Sequence, residues 1–251
     1  SINKILKYPD SHNLVTASAG NHAQGVALSA YQLSLDATII MPVTTPSIKV
    51  DAVSNLGAKV ILFGDSYDDA YDYALKLSES EGSTFIHPYD DPQVIAGQAT
   101  IALEILDQLS EPIDYLFVAV GGGGLLAGVL SVFKTISPST VIVAVEPENS
   151  DCLAAALREN KRVILDSVGI FADGVAVKQI GEQTFNLIQP HLDDSVLVSI
   201  DDICAAIKDI YEETRSIVEP AGALSLAGMK QYLKQHHIEN QNIVTINCGA
   251  N

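Results

Sequence analysis

Gly121, Gly122, Gly123 and Gly124 stand in a row between an apolar run, YLFVAV, and a helical pattern, LLAGVLSVF. Consecutive glycines leave the backbone free to curl and expose its N–H groups. A helix that starts there turns the positive end of its dipole on the same spot. Together they make a cradle for an anion of phosphate size. A tight strand-to-helix turn by itself needs one or two glycines, so the length of this run is read as phosphate binding.

The junction is repeated, with other residues, almost throughout the chain. Short apolar runs rich in β-branched residues fall at Asn13–Ala17, Ala37–Met41, Lys59–Phe63, Thr84–His87, Tyr115–Val120, Val141–Val145, Ser195–Ser199 and Ile243–Asn247. Each reads as a strand buried on both faces. Between them lie amphipathic stretches at Asn21–Leu33, Ser66–Ser80, Pro92–Leu109, Leu125–Phe133 and Asp201–Arg215. The alternation predicts an α/β fold with parallel sheet covered by helices on both faces. Thr45-Pro46 and Asp91-Pro92 each offer an N-cap followed by proline at the first helical position. The polar turn HPYDD at His87–Asp91 is the expected lobe boundary, and helical periodicity lapses at Lys161–Gly174.

Composition narrows the function. The chain has 251 residues, 47% of them hydrophobic and 18% charged, with a formal net charge of −17. An acidic surface repels phosphate backbones and anionic lipid, which argues against nucleic-acid and membrane partners. Cys152, Cys204 and Cys248 lie far apart with no CxxC pair, which argues against a disulfide scaffold or a zinc site and fits a reducing cytoplasm. No run of about 18 apolar residues occurs. The chain starts at Ser1 without a methionine and reads as an excerpt from a longer protein.

A second strand-to-helix turn, TASAGNHAQG from Thr16, is built of small residues and hydrogen-bonding side chains. Free N–H groups and the Ser18 hydroxyl suit a substrate carboxylate, and Asn21 can meet a ring oxygen. Ser18 or Asn21 serving only as an N-cap is the competing reading. The glycine run also has a rival: Gly122, Gly124 and Ala127 satisfy G-x-G-x-x-A, and Glu146 follows about 20 residues on, as a dinucleotide's ribose requires. A nicotinamide dehydrogenase therefore stays open on spacing alone.

SAGNHAQG at Ser18–Gly25, GGGGLLAG at Gly121–Gly128, EPAGAL at Glu219–Leu224 and NCGAN ending at Asn251 occur in the order found in threonine dehydratases. Over essentially its whole length the chain resembles that family, pyridoxal-phosphate lyases of tryptophan-synthase-β-like fold. FADGVAVKQIG at Phe171–Gly181 is closer to the biosynthetic branch. The resemblance implies two parallel-sheet lobes, each layered αβα, around a central cofactor cleft. Residues 1–87 would form the smaller, N-terminally incomplete lobe and residues 88–251 the larger. It implies pyridoxal 5'-phosphate, with Gly121, Gly122, Gly123, Gly124 and Leu125 around the phosphate. Asn21 would meet the pyridine 3-oxygen, and Cys248 the ring nitrogen, where many relatives have serine. Ser18, Ala19 and Gly20 would receive the carboxylate of an amino-acid substrate. The implied reaction is β-elimination from L-threonine to 2-oxobutanoate and ammonia, feeding isoleucine synthesis in a cytoplasmic homo-oligomer, a dimer or tetramer. A serine dehydratase or racemase of the same family is the alternative.

One part of the pattern is missing. The family's Schiff-base lysine stands in an S-F-K-x-R-G-A-like motif ahead of SAGNHAQG, and no such motif occurs here. Lys4 and Lys7 lack its neighbours, and Lys49 reads as a solvated helix residue. The lysine is expected upstream of Ser1, and the chain alone is expected not to catalyse; a non-catalytic module is the other possibility. His12, His191, His236 and His237 read as surface, and His22 as either structural or near the substrate. Cys152 and Cys204 read as small core or near-core residues. Asp173 reads as a turn residue or a cation ligand. Asp68-Asp69, Asp193-Asp194 and Asp201-Asp202 read as helix-start or loop solvation.

Overall fold

The structure, a computed structural model, describes residues 1–7 and 12–249, and the chain divides into two compact units, Ser1–Gly97 and Gln98–Asn251. The first contains α1 (Ile2–Leu6), β1 (Asn13–Ala17), α2 (Asn21–Leu33), β2 (Asp36–Met41), α3 (Ser47–Ser54), β3 (Lys59–Leu62), α4 (Tyr67–Glu81), β4 (Thr84–Phe85) and the start of α5 (Pro92–Gln108). Its four strands are parallel and ordered β3-β2-β1-β4. Alternate residues of each strand point to opposite faces. β1 and β2 are buried on both, whereas the edge strand β3 is not, with Leu62 exposed and Val60 and Ile61 only half-buried. That corrects the reading of every strand as buried on both faces. Leu14, Ile39 and Met41 pack on Ala23, Val26, Ala27 and Ala30 of α2 and Val53 of α3. Val15, Ala17 and Ile40 pack on Ala70 and Ala74 of α4. That alternation makes the three layers.

The second unit continues with β5 (Tyr115–Ala119), α6 (Gly124–Ile136), β6 (Val141–Pro147), α7 (Cys152–Glu159), α8 (Glu182–Ile188), β7 (Asp194–Val198), α9 (Ile200–Thr214), α10 (Leu224–His236) and β8 (Ile243–Thr245). Its strands are again all parallel, ordered β7-β6-β5-β8. Phe117, Val143, Val145, Val196 and Val198 form one face, packed on Ile203, Ala206 and Ile210 of α9 and Leu224, Ala227 and Tyr232 of α10. Leu116, Val118, Ile142 and Ala144, pointing the other way, are fully buried as well. Short 3-10 turns at Asp173–Val175 and Pro220–Ala223 complete this unit.

Several helix ends follow the sequence reading, and one does not. Asp91 Oδ1 accepts the N–H groups of Gln93 and Val94, capping α5. Ser66 with Asp69 and Ser199 with Asp202 form capping boxes on α4 and α9, so the acids at these starts have a structural task. Thr45 does not cap α3: the cap position is Pro46, and the Thr45 hydroxyl is buried with no partner among the described residues. Asp193 and Asp194 are more than loop solvation. Asp193 holds Lys134 and the Ile142 N–H, and Asp194 accepts from Tyr232. Cys152 is buried, but Cys204 sits exposed on α9, a correction to its core assignment, because that helix turns Ile203 and Ala206 inward instead. Lys49 is half-buried on α3 rather than free in solvent. The unit division falls inside α5, past the turn at residues 87–91, because Val94 packs with Ile5 and Ile86 while Lys4 pairs with Asp91. No helix among the described residues is long and apolar enough to cross a membrane.

Candidate cofactor site

In an open parallel sheet, ligands bind beyond the carboxyl ends of the strands, where the strand order reverses direction. In the first unit the order reverses between β1 and β4, and in the second between β5 and β8. The loops that follow β1 and β5 are TASAGNHAQG and the glycine run.

After β5 the last ladder bond is from the Val120 N–H to the Val145 carbonyl, and then the chain turns through the glycines. Among the described residues, no acceptor meets the N–H groups of Gly121, Gly122, Gly123, Gly124 or Leu125. Gly122, Gly123 and Gly124 are nevertheless buried. Gly123 is the N-cap of α6, with φ +90°, a region that favours glycine. A Cβ there would come within 2.7 Å of Ile180 Cδ1, and one on Gly121 within 3.0 Å of Val175 Cα. No other residue fits those two positions without movement. The result is a row of unclaimed donors at the positive end of a 13-residue helix, the donor set a phosphate monoester needs.

Cys248 lies three residues past β8, beside β5 in the sheet. The turn Pro220–Ala223 presses against it, and a Cβ on Gly222 would strike the Cys248 carbonyl oxygen. The Glu219 N–H donates to the Gly249 carbonyl. Burial, reinforced by the nearby Glu219 carboxylate, pushes the Cys248 thiol above its ordinary range, so it stays a neutral S–H near pH 7. The remaining residues of NCGAN, Ala250 and Asn251, lie outside the described set.

In the first unit, the Ser18 N–H donates to the Ile40 carbonyl, and the Ser18 hydroxyl oxygen accepts from the Gly20 N–H. Gly20, not Ser18 or Asn21, occupies the N-cap of α2 and offers no side chain. The N–H groups of Ala19 and His22 meet no acceptor among the described residues, and Asn21 is exposed. The capping alternative therefore gives way to a small donor-lined turn. His22 takes the structural role. Its Nε2 lies 3.1 Å from Thr16 Oγ1 and 3.2 Å from the Ile86 carbonyl. Desolvation lowers its pKa to about 4, so it is neutral near pH 7. His12, His191, His236 and His237 are exposed.

The dinucleotide alternative loses its acid. Glu146 is 1% exposed, and its two oxygens accept the N–H groups of Leu153 and Ala154, each at 2.8 Å, at the start of α7. A carboxyl group this deeply buried, with both oxygens turned to the start of α7, is out of a ribose's reach. Burial drives its pKa up to about 7 against those two hydrogen bonds. Asp173 opens a 3-10 turn, and no group of three or more potential metal ligands exists among the described residues. The surroundings of the glycine loop, Val175, Ile180, Thr184 and Cys152, were not foreseen from sequence. Nor did the EPAGAL motif by itself place Glu219 beside Cys248.

The family model for "Pyridoxal-phosphate dependent enzyme" matches residues 2–249. The biosynthetic L-threonine dehydratase of Haemophilus influenzae is 54% identical over 238 residues, covering 95% of this chain and 46% of that protein. Threonine dehydratase 1 (biosynthetic, chloroplastic) of Solanum lycopersicum is 53% identical over 248 residues, 99% of this chain and 41% of that protein. The chain thus spans about half the length of these curated relatives. The solved structure of the processed form of threonine deaminase isoform 2 from Solanum lycopersicum superposes with a TM-score of 0.96 at 49% identity, over 100% of this chain and 74% of that one.

Proposed function

The chain belongs to the family of pyridoxal-phosphate dependent enzymes, and on that footing we propose that it is the catalytic part of an L-threonine dehydratase, releasing 2-oxobutanoate and ammonia. The observation that carries the cofactor assignment is the loop Gly121–Gly124 at the switch point of the second sheet, with its unclaimed N–H groups at the start of α6. Two relatives at 53% and 54% identity, both named threonine dehydratases, support the substrate.

When bound, the cofactor supplies the electron-withdrawing ring that allows an amino acid's α-proton to leave. This chain's residues would hold and orient it. Gly121, Gly122, Gly123, Gly124 and Leu125 would hold the phosphate through backbone donors, and the α6 dipole would add to that hold. Cys248 would offer the ring nitrogen a neutral thiol, which cannot stabilise a charged nitrogen as a carboxylate would. By the resemblance, Asn21 would meet the ring oxygen, and Ser18, Ala19 and Gly20 would receive the substrate carboxylate. Within its own unit the Ala19 N–H meets no acceptor among the described residues.

In the full-length protein, threonine is expected to give 2-oxobutanoate and ammonia in equal amounts, with absorbance from bound pyridoxal phosphate. Tight binding of a nicotinamide dinucleotide with no bound pyridoxal phosphate would overturn the assignment.

A further inference from the structure

The glycine loop is made of the most flexible residue type, yet a phosphate cradle must present its donors in fixed directions. Within a planar trans peptide, the carbonyl of one residue points opposite to the N–H of the next. Anchoring a carbonyl therefore aims the N–H that follows it. The Gly122 carbonyl accepts two hydrogen bonds, from the Thr184 hydroxyl at 2.8 Å and the Gly181 N–H at 3.3 Å. Those two donors turn the Gly123 N–H the other way, and it meets no acceptor among the described residues. The Gly121 carbonyl is similarly approached by Cys152 Sγ at 3.4 Å, which directs the Gly122 N–H.

Thr184 is well placed to impose direction. It is fully buried in the first turn of α8, which packs against α6. Its Cβ would lie 3.0 Å from a Cβ on Gly123, so the side chain stands directly against the loop. A buried hydroxyl bonded to a carbonyl holds that orientation strongly, because breaking the bond would strand both groups away from water.

We infer that Thr184 is a positioning residue that aims the Gly123 N–H into the phosphate cradle. The inference rests on the cofactor reading of the loop above, and goes beyond it by naming a side chain that acts through the Gly122 carbonyl. Its effect must appear as selectivity for the phosphate, since a residue serving only to fill space would change binding of every ligand form alike.

The test compares dissociation constants for pyridoxal 5'-phosphate and for pyridoxal, which lacks the phosphate, in the full-length protein and its variants. Thr184→Val keeps the side-chain volume and removes the hydroxyl. It is expected to weaken pyridoxal 5'-phosphate about fivefold to tenfold, in line with one lost hydrogen bond, while leaving pyridoxal within about twofold, since the phosphate contacts are absent there. Thr184→Ser, retaining the hydroxyl, should restore most of the preference for the phosphate-bearing form. Should Thr184→Val fail to fold, Thr184→Ala removes the same hydroxyl without adding a methyl beside Gly122. A phosphate preference that survives unchanged in the hydroxyl-free variant, or an equal loss for both ligands, overturns the inference while leaving the cradle standing. A wild-type protein that binds both ligands equally overturns the cradle reading itself, and this inference with it.

Discussion

Glu146 is almost fully buried, yet two backbone N–H groups at the start of α7 occupy its oxygens. Its carboxyl group titrates at about 7 in the folded chain, raised from 4.5 by desolvation. Between those values the native state keeps a proton that the unfolded chain has released, so stability falls as pH rises. The contribution is complete below the unfolded pKa and lost above about 7. At about 1.4 kcal/mol per unit, the loss is at most roughly 3 to 4 kcal/mol. Glu146→Gln cannot titrate. Its stability deficit relative to wild type, followed by urea unfolding, should therefore shrink across that window; a deficit independent of pH would show that the carboxyl is already charged when folded. Cys248 gives a chemical counterpart. In the full-length protein Cys248→Ser should retain substantial dehydratase activity, because serine is also small and neutral. Cys248→Asp favours a protonated ring nitrogen, and should lower 2-oxobutanoate production relative to exchange of the α-proton. An unchanged ratio in a folded Asp variant would leave Cys248 as a packing residue only.

At the scale of elements, starts matter more than middles. α6 begins on an αL glycine with no side-chain cap, which leaves its first donors for a ligand. α9, by contrast, satisfies its own start through Ser199 and Asp202, each accepting from the other's N–H. Ser199→Ala removes the hydroxyl that receives the Asp202 N–H. It should cost about 1 kcal/mol of stability, read from denaturant midpoints, with no change in cofactor affinity. A loss of affinity without a loss of stability would mean that α9 communicates with the site. The helices also show where periodicity runs short. α10 brings Gly228 so close to β6 that a Cβ would lie 2.5 Å from Val145 Cγ2. Its small residues blur the apolar stripe that marks α2 and α9 in the sequence.

For the whole molecule, the dominant long-range quantity is its net charge of −17. Mutual repulsion among surface carboxylates opposes the compact state, and salt screens it over roughly 10 Å at 0.1 M. The melting temperature near neutral pH should therefore rise as sodium chloride goes from millimolar to a few tenths molar. A fall would indicate that local ion pairs such as Lys134–Asp193 and Lys230–Asp209 outweigh the general repulsion. The same surface leaves a phosphate site dependent on local donors, since no broad positive field draws the anion in. Free N–H groups at a helix start supply that local polarity without a charged side chain.

Local chemistry makes much of this protein legible in its sequence. The eight strands, the glycine cradle and the cap at Asp91 each depend on neighbours within a few residues, which periodicity and residue type report directly. The motifs around Ser18 and Gly121 are legible for the same reason. Folding alone decides which strands become neighbours, and so which loops open at the two switch points. It also decides that Glu146 turns inward to a helix, that Cys204 faces solvent, and that the cap of α3 is Pro46, one residue beyond the expected Thr45. The partners of the glycine loop lie 31 residues away at Cys152 and 62 residues away at Thr184. No repeating pattern in a sequence encodes such distances. They arise because α8 packs against α6 and the start of α7 is tied to Glu146 of β6, which brings a hydroxyl and a thiol to two carbonyls that the loop could not orient by itself.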